Sequence, residues 1–324
     1  MQTPTSELPP PLPGVIPALT AGFNAVAAQV GVILLPIGFD IFLWLGPRVT
    51  ITRLMAPVLK DMQTLSTDAG QAIVDPQILA DFWQNFNLFN LARTFPLGVF
   101  SLMSNNLASQ SPLGMRTSWE ASSPLIAIGI WLALTLLGWL LGSLYFASVA
   151  HVAVPGNAPV TFSRAALHGM LFSSLWAAMA LIVGIPFIFF LGVLTLINPT
   201  VTLLVILFFL FIAASLFPPI YFSSYGIFSD GQNVLRSLWS GVRLTRYGMP
   251  AITLFTLVTL VISQGLDFLW RIPPANSGLT LVGIFGHAFI STGLLAASFI
   301  YYHEMNAWIE SATRWFNNKR VVTN

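Results

Sequence analysis

Between residues 201 and 218 the chain reads VTLLVILFFLFIAASLFP, without one charged side chain. A helix needs about 20 predominantly apolar residues to cross the hydrocarbon core of a bilayer. A helix that is apolar all round has no polar face to offer water. This run therefore restricts the fold to one in which lipid is part of the solvent, and only helices or closed barrels satisfy their backbone there.

The same signal recurs along the chain. Residues 123–150, 166–197, 201–228, 249–270 and 278–302 each read as a span, and residues 16–45 read as a first one. Asn198 and Pro199 form a turn too short for anything but an antiparallel hairpin. The predicted fold class is all-α, a polytopic transmembrane bundle of about six spans with amphipathic interfacial helices. Only 7% of the residues are charged, against about 25% in soluble domains, so a water-facing surface has little to be built from.

The segments outside the spans set the expected organisation. Residues 1–15 form a Pro-rich, disordered N-terminus, and residues 16–302 the membrane domain. The first apolar run lacks the basic flank and short length of a cleaved signal, so it is read as a retained helix. Within residues 48–122, Ile51, Leu54, Val58, Met62 and Leu65 recur at helical spacing, as do Ile78, Phe82, Phe86 and Phe89. This region is expected to form two or three amphipathic helices capping the bundle outside the cytoplasm. Residues 303–324 form an amphipathic basic tail ending with Arg314, Lys319 and Arg320. With an even number of spans and the basic residues Arg164, Arg236, Arg243 and Arg246 on the side of the termini, both termini are expected to be cytoplasmic.

Ionisable groups at membrane depth are functional candidates because burying their charge in lipid is costly. Asp40 lies four residues after Pro36, and Asp267 lies in the fifth span with Gln264 near it. His287, in the sixth span, has Ser291 four positions on. One reading makes Asp40, Gln264, Asp267 and His287 a proton- or cation-handling path. The other pairs Asp267 with Arg271 at i,i+4 and leaves the rest as packing contacts.

Arg236, Arg243 and Arg246, with Trp239 and Tyr247, suit a helix lying in the interface against lipid headgroups. His151, His168, His303 and Glu304 have zinc-type ligand chemistry, but none of their spacings matches a helix-borne metal motif. No phosphate-binding, dinucleotide or serine-nucleophile motif is present, so no catalytic residue and no cofactor is expected. Cysteine is absent, which excludes thiolate catalysis. A net charge of +2 without a basic tract excludes a nucleic-acid partner. The partners expected are membrane lipids, with a membrane protein or a second copy of the chain left open.

The block SDGQNVLRSLWSGVRLTRYGMPAITLF, residues 229–255, resembles a pattern in bacterial multi-helix membrane proteins related to the membrane domain of glycerophosphoryl diester phosphodiesterases. There a span ends in an acidic residue and Gly, and a short helix carrying Ser and Arg leads into the next span. The matching positions are Asp230, Gly231, Ser237, Arg243 and Arg246. The resemblance implies a helical bundle in a bacterial cytoplasmic membrane and supplies no substrate. The chain departs from it in the long connection after the first span and carries no phosphodiesterase domain beside it. The functional expectation is a membrane scaffold or accessory subunit contacting lipid. A transporter built on the four intramembrane polar residues is the alternative, and a metal-dependent intramembrane enzyme the third.

Overall fold

The computed structural model describes residues 10–69, 76–105, 110–156 and 160–323. The Pro-rich segment 1–9 of the expected N-terminal region lies outside them. Among the described residues, five helical stretches are long and apolar enough to cross a membrane: Pro124–Ala153, Phe162–Ile197, Pro199–Ser229, Val234–Trp270 and Thr280–Asn318. A bent pair, Val15–Ala28 with Val30–Leu45, is the sixth candidate, as a broken span or a re-entrant loop. The all-α expectation holds, and the helices are those of an integral membrane protein in length and composition.

The first span is corrected from one helix to two. α1 (Val15–Ala28) stops at Gln29, whose backbone is non-helical at φ −133 and ψ 66. A 3₁₀ turn at Val30–Ile33 leads into α2 (Leu34–Leu45). Gly31 and the amide-less Pro36 weaken the helical ladder on the far side of the break.

Cap chemistry marks the later boundaries. α5 (Pro124–Ala153) is followed by α6 (Phe162–Met179), a π turn at Ala180–Gly184, and α7 (Ile185–Ile197). Pro186 cannot donate to the Ile182 carbonyl, and the π turn takes up the slack. α8 (Pro199–Phe222) begins at Asn198, whose side chain accepts from the amides of Thr200 at 3.0 Å and Val201 at 3.2 Å, with Pro199 in the first turn. Phe187 stacks on Phe209 at 4.3 Å across the resulting hairpin. A short α9 (Tyr225–Ser229) follows.

α10 (Val234–Trp270) is interrupted at Gly248, where φ is −122 and ψ 23. Pro250 removes the bond to the Arg246 carbonyl. The amphipathic segment and the fifth span therefore meet at the boundary that the sequence sets. α11 (Thr280–Thr323) runs unbroken through His303. The tail expected from that residue continues the sixth span because residues 304–323 contain neither Gly nor Pro.

The chain divides into two compact units. One consists of Met1–Gln29, Phe146–Ile262 and Gly293–Asn324. Its interior is aromatic: Phe222, Tyr225, Phe255, Phe299, Tyr301 and Tyr302 are all buried, and Phe255 stacks on Tyr301 at 4.1 Å. Gly241 of α10 lies against the Pro219 carbonyl of α8 and against Ser223 just beyond that helix, an approach that any Cβ would obstruct.

The other unit consists of Val30–Tyr145 and Ser263–Thr292 and contains the segment expected to form a cap. Its amphipathic helices α3 (Thr52–Ala69) and α4 (Pro76–Asn85) are present as expected. The sequence pattern does not announce four short strands. β1 (Arg48–Thr50) pairs in parallel with β4 (Ser118–Glu120), and β2 (Gln110–Ser111) pairs antiparallel with β3 (Gly114–Met115). Glu120 ends β4 and accepts from the Arg53 amide at 2.7 Å and the Thr50 hydroxyl at 2.5 Å, closing the start of α3. Val49, Leu88, Ala92 and Leu134 form the core under the cap.

Candidate functional site

Two groups of polar side chains combine candidates from the sequence, one in each unit. In the unit that carries the cap, Asp40 is fully buried on α2. Its carboxylate accepts from the Ser101 hydroxyl and from the amides of Leu102 and Met103, both at 3.0 Å. Ser101 Oγ in turn accepts from the Ser104 amide at 3.0 Å. Asp40 thus organises residues 101–104 of the cap instead of standing open in a cavity. Arg93 donates to Ser104 Oγ at 2.9 Å. Burial pulls the Arg93 guanidinium below its ordinary range; nearby Asp267 and Asp40 push it back up against the repulsion of Arg271.

Asp267 and His287 do meet. His287 Nδ1 lies 2.7 Å from Asp267 Oδ1, and the other ring nitrogen is buried without a partner. Arg271 reaches the second oxygen of Asp267 only at 3.9 Å and is 40% exposed, so it contributes little. Ser291 donates to the His287 backbone carbonyl at 2.7 Å, which occupies its hydroxyl away from the ring. Gln264 is exposed and joins none of these contacts. The four intramembrane candidates are therefore one structural clasp, one acid–histidine pair and one separate amide. Ser101, Ser104 and Arg93 were missed because a loop delivers them; the serine pair three residues apart was the available signal.

His151 and His303 are exposed, and His168 and Glu304 are half-buried. Among the described residues no three His, Cys, Asp or Glu side chains come together to hold a metal ion. His303 and Glu304 are adjacent on one helix and so point in different directions, and His168 turns back to its own helix, Nδ1 lying 3.1 Å from the Arg164 carbonyl.

The second group lies in the aromatic unit. A pocket of about 570 Å³ is lined by Arg164, Arg236, Arg243, Asp230, Glu310 and Trp239 among others. Arg164 comes from the first turn of α6, Arg236 and Arg243 from the amphipathic part of α10, and Glu310 from the polar end of α11. Each of these three helices is polar at the pocket and apolar beyond it. The pocket therefore sits at the level where apolar helix gives way to polar chain.

Local chemistry fixes its walls. Arg243 Nη2 donates to Asn306 Oδ1 at 3.0 Å, while its Nε is buried without a partner. Gln232 Nε2 donates to Asp230 at 3.1 Å, and the Gln232 carbonyl oxygen is buried and unpaired. Gly231, at φ +60, turns the chain between α9 and α10. Among the described residues none of the three arginines pairs with Asp230 or Glu310. Arg246, expected beside Arg236 and Arg243, is exposed and does not line the pocket. Arg164 joins instead, seventy-two positions before Arg236, a distance that periodicity cannot bridge.

The amphipathic helix is oriented inside out compared with one on a water-soluble protein. Its serines face the bundle: Ser237 donates to the Ser223 carbonyl at 2.7 Å, and Ser240 shares a hydrogen bond with the Tyr302 hydroxyl at 2.7 Å. Its apolar side is open, with Leu235 77% and Trp239 67% exposed. No family model, curated protein or solved structure matches this chain.

Proposed function

We propose that this chain is an integral membrane scaffold or accessory protein that holds phospholipid headgroups at its polar rim. The carrying observation is the arginine-lined pocket, whose neighbouring apolar face on α10 is left uncovered by protein. Arginine forms bidentate, charge-assisted bonds to phosphate, and the exposed Leu235–Trp239 face is solvated well only by lipid. The interior of the same unit is filled by aromatic rings, which supports a structural role over a conducting one. On this proposal the pocket side, with the two termini, faces the cytoplasm, where basic residues concentrate.

The test is lipid retention. The full chain, purified in mild detergent from its host membrane, is expected to carry bound phospholipid measurable by mass spectrometry. Arg236→Gln with Arg243→Gln should strip most of it while leaving the helical content unchanged. Equal lipid in both proteins would remove the basis of the proposal.

A further inference from the structure

We infer that the pocket takes a zwitterionic phospholipid headgroup, with its phosphate among Arg164, Arg236 and Arg243 and its ammonium held by Asp230 and Glu310. This rests on the lipid-holding function proposed above and narrows it to a chemical class. Three cations and two anions line one pocket, yet no arginine closes onto a carboxylate among the described residues. Donors and acceptors are both left for a ligand.

An inorganic phosphate would use only the arginine side. A purely anionic headgroup would do the same and would leave the Asp230 and Glu310 carboxylates facing it without a partner, which disfavours it. A ligand carrying phosphate and ammonium on adjoining groups satisfies both sets. Asn306 already holds the Arg243 guanidinium that lines the pocket, so little ordering is required on binding. Trp239 lines the same pocket and is mostly exposed. Its indole face is a favourable surface for an ammonium or quaternary ammonium group. Because Trp239 shares its exposed helix face with Leu235, the occupant is a lipid whose chains lie along that face.

The experiment uses native mass spectrometry on the full chain in detergent, titrated with equimolar phosphatidylethanolamine and phosphatidylglycerol. Wild type should retain the ethanolamine lipid about tenfold better, the factor expected from one charge-assisted contact. Glu310→Gln with Asp230→Asn should abolish that preference while binding of phosphatidylglycerol persists or rises. Arg236→Gln with Arg243→Gln should lose both lipids, and Arg243→Lys should recover part of the loss. Arg246→Gln, outside the pocket, should match wild type.

A wild-type preference for phosphatidylglycerol that the carboxylate variants do not alter would overturn the zwitterion inference and leave the lipid-holding function standing. Lipid binding indifferent to the arginine variants would overturn both. Displacement of bound lipid by millimolar inorganic phosphate, but not by the same concentration of chloride, would assign the site to free phosphate and also overturn the inference.

Discussion

Asp267 Oδ1 and His287 Nδ1 lie 2.7 Å apart, joining α10 to α11 through one short polar contact. His287 is 3% exposed, and its second ring nitrogen has no partner. Replacing Asp267 by Ala would leave both ring nitrogens without a protein acceptor. The expected loss is about 1–3 kcal/mol of stability, the cost of an unsatisfied buried polar group. Arg271→Ala should cost under about 1 kcal/mol because its contact is long and solvated. Thermal unfolding in detergent for the two single variants checks the order.

Asp40→Asn should loosen the cap without unfolding the helices. The carboxylate accepts from two amides and a hydroxyl, and an amide group offers N–H in place of one acceptor. The expected cost is about 1–3 kcal/mol, with faster hydrogen exchange confined to residues 101–104. Uniform exchange along α2 and the loop would show that Asp40 does not clasp that loop specifically.

Asn198→Ala should shift the α7–α8 hairpin. The side chain satisfies the amides of Thr200 and Val201, and losing such a cap costs about 1 kcal/mol. Asn198→Ser should restore most of it. The thermal midpoints of the two variants are the readout.

The natural absence of cysteine makes the membrane orientation directly measurable. Leu113→Cys, at an exposed cap position, should react with an impermeant maleimide in intact cells. Ala307→Cys, exposed near the pocket, should react only after permeabilisation. The reverse pattern would invert the proposed topology.

The spans were legible because lipid imposes a severe and local rule: a long uncharged run has one stable conformation in a bilayer. Asn198-Pro199 marked a boundary for an equally local reason. Residues 16–45 satisfied the composition rule and still broke at Gln29, because length and hydropathy do not report backbone direction. The cap strands escaped notice because β1 and β4 are short and separated by nearly seventy residues, so their pairing leaves no periodic trace. The pocket was half legible. Arg236 and Arg243 share a helix face, whereas Arg164 and Glu310 arrive from other helices by packing. Asp40 was conspicuous for its charge, but its three donors lie in a loop some sixty residues away, which composition cannot assign.

The interruption at Gly248 mechanically separates two parts of one continuous chain. Helices respond to a bilayer thicker or thinner than themselves by tilting, and an unbroken rod would transmit that tilt from end to end. Here the residues from Met249 onward can adjust to membrane thickness, while Val234–Tyr247 stays registered by Ser237, Ser240 and Arg243 to the helices behind it. The proposed headgroup site would thereby be insulated from hydrophobic mismatch and could serve in membranes of different thickness.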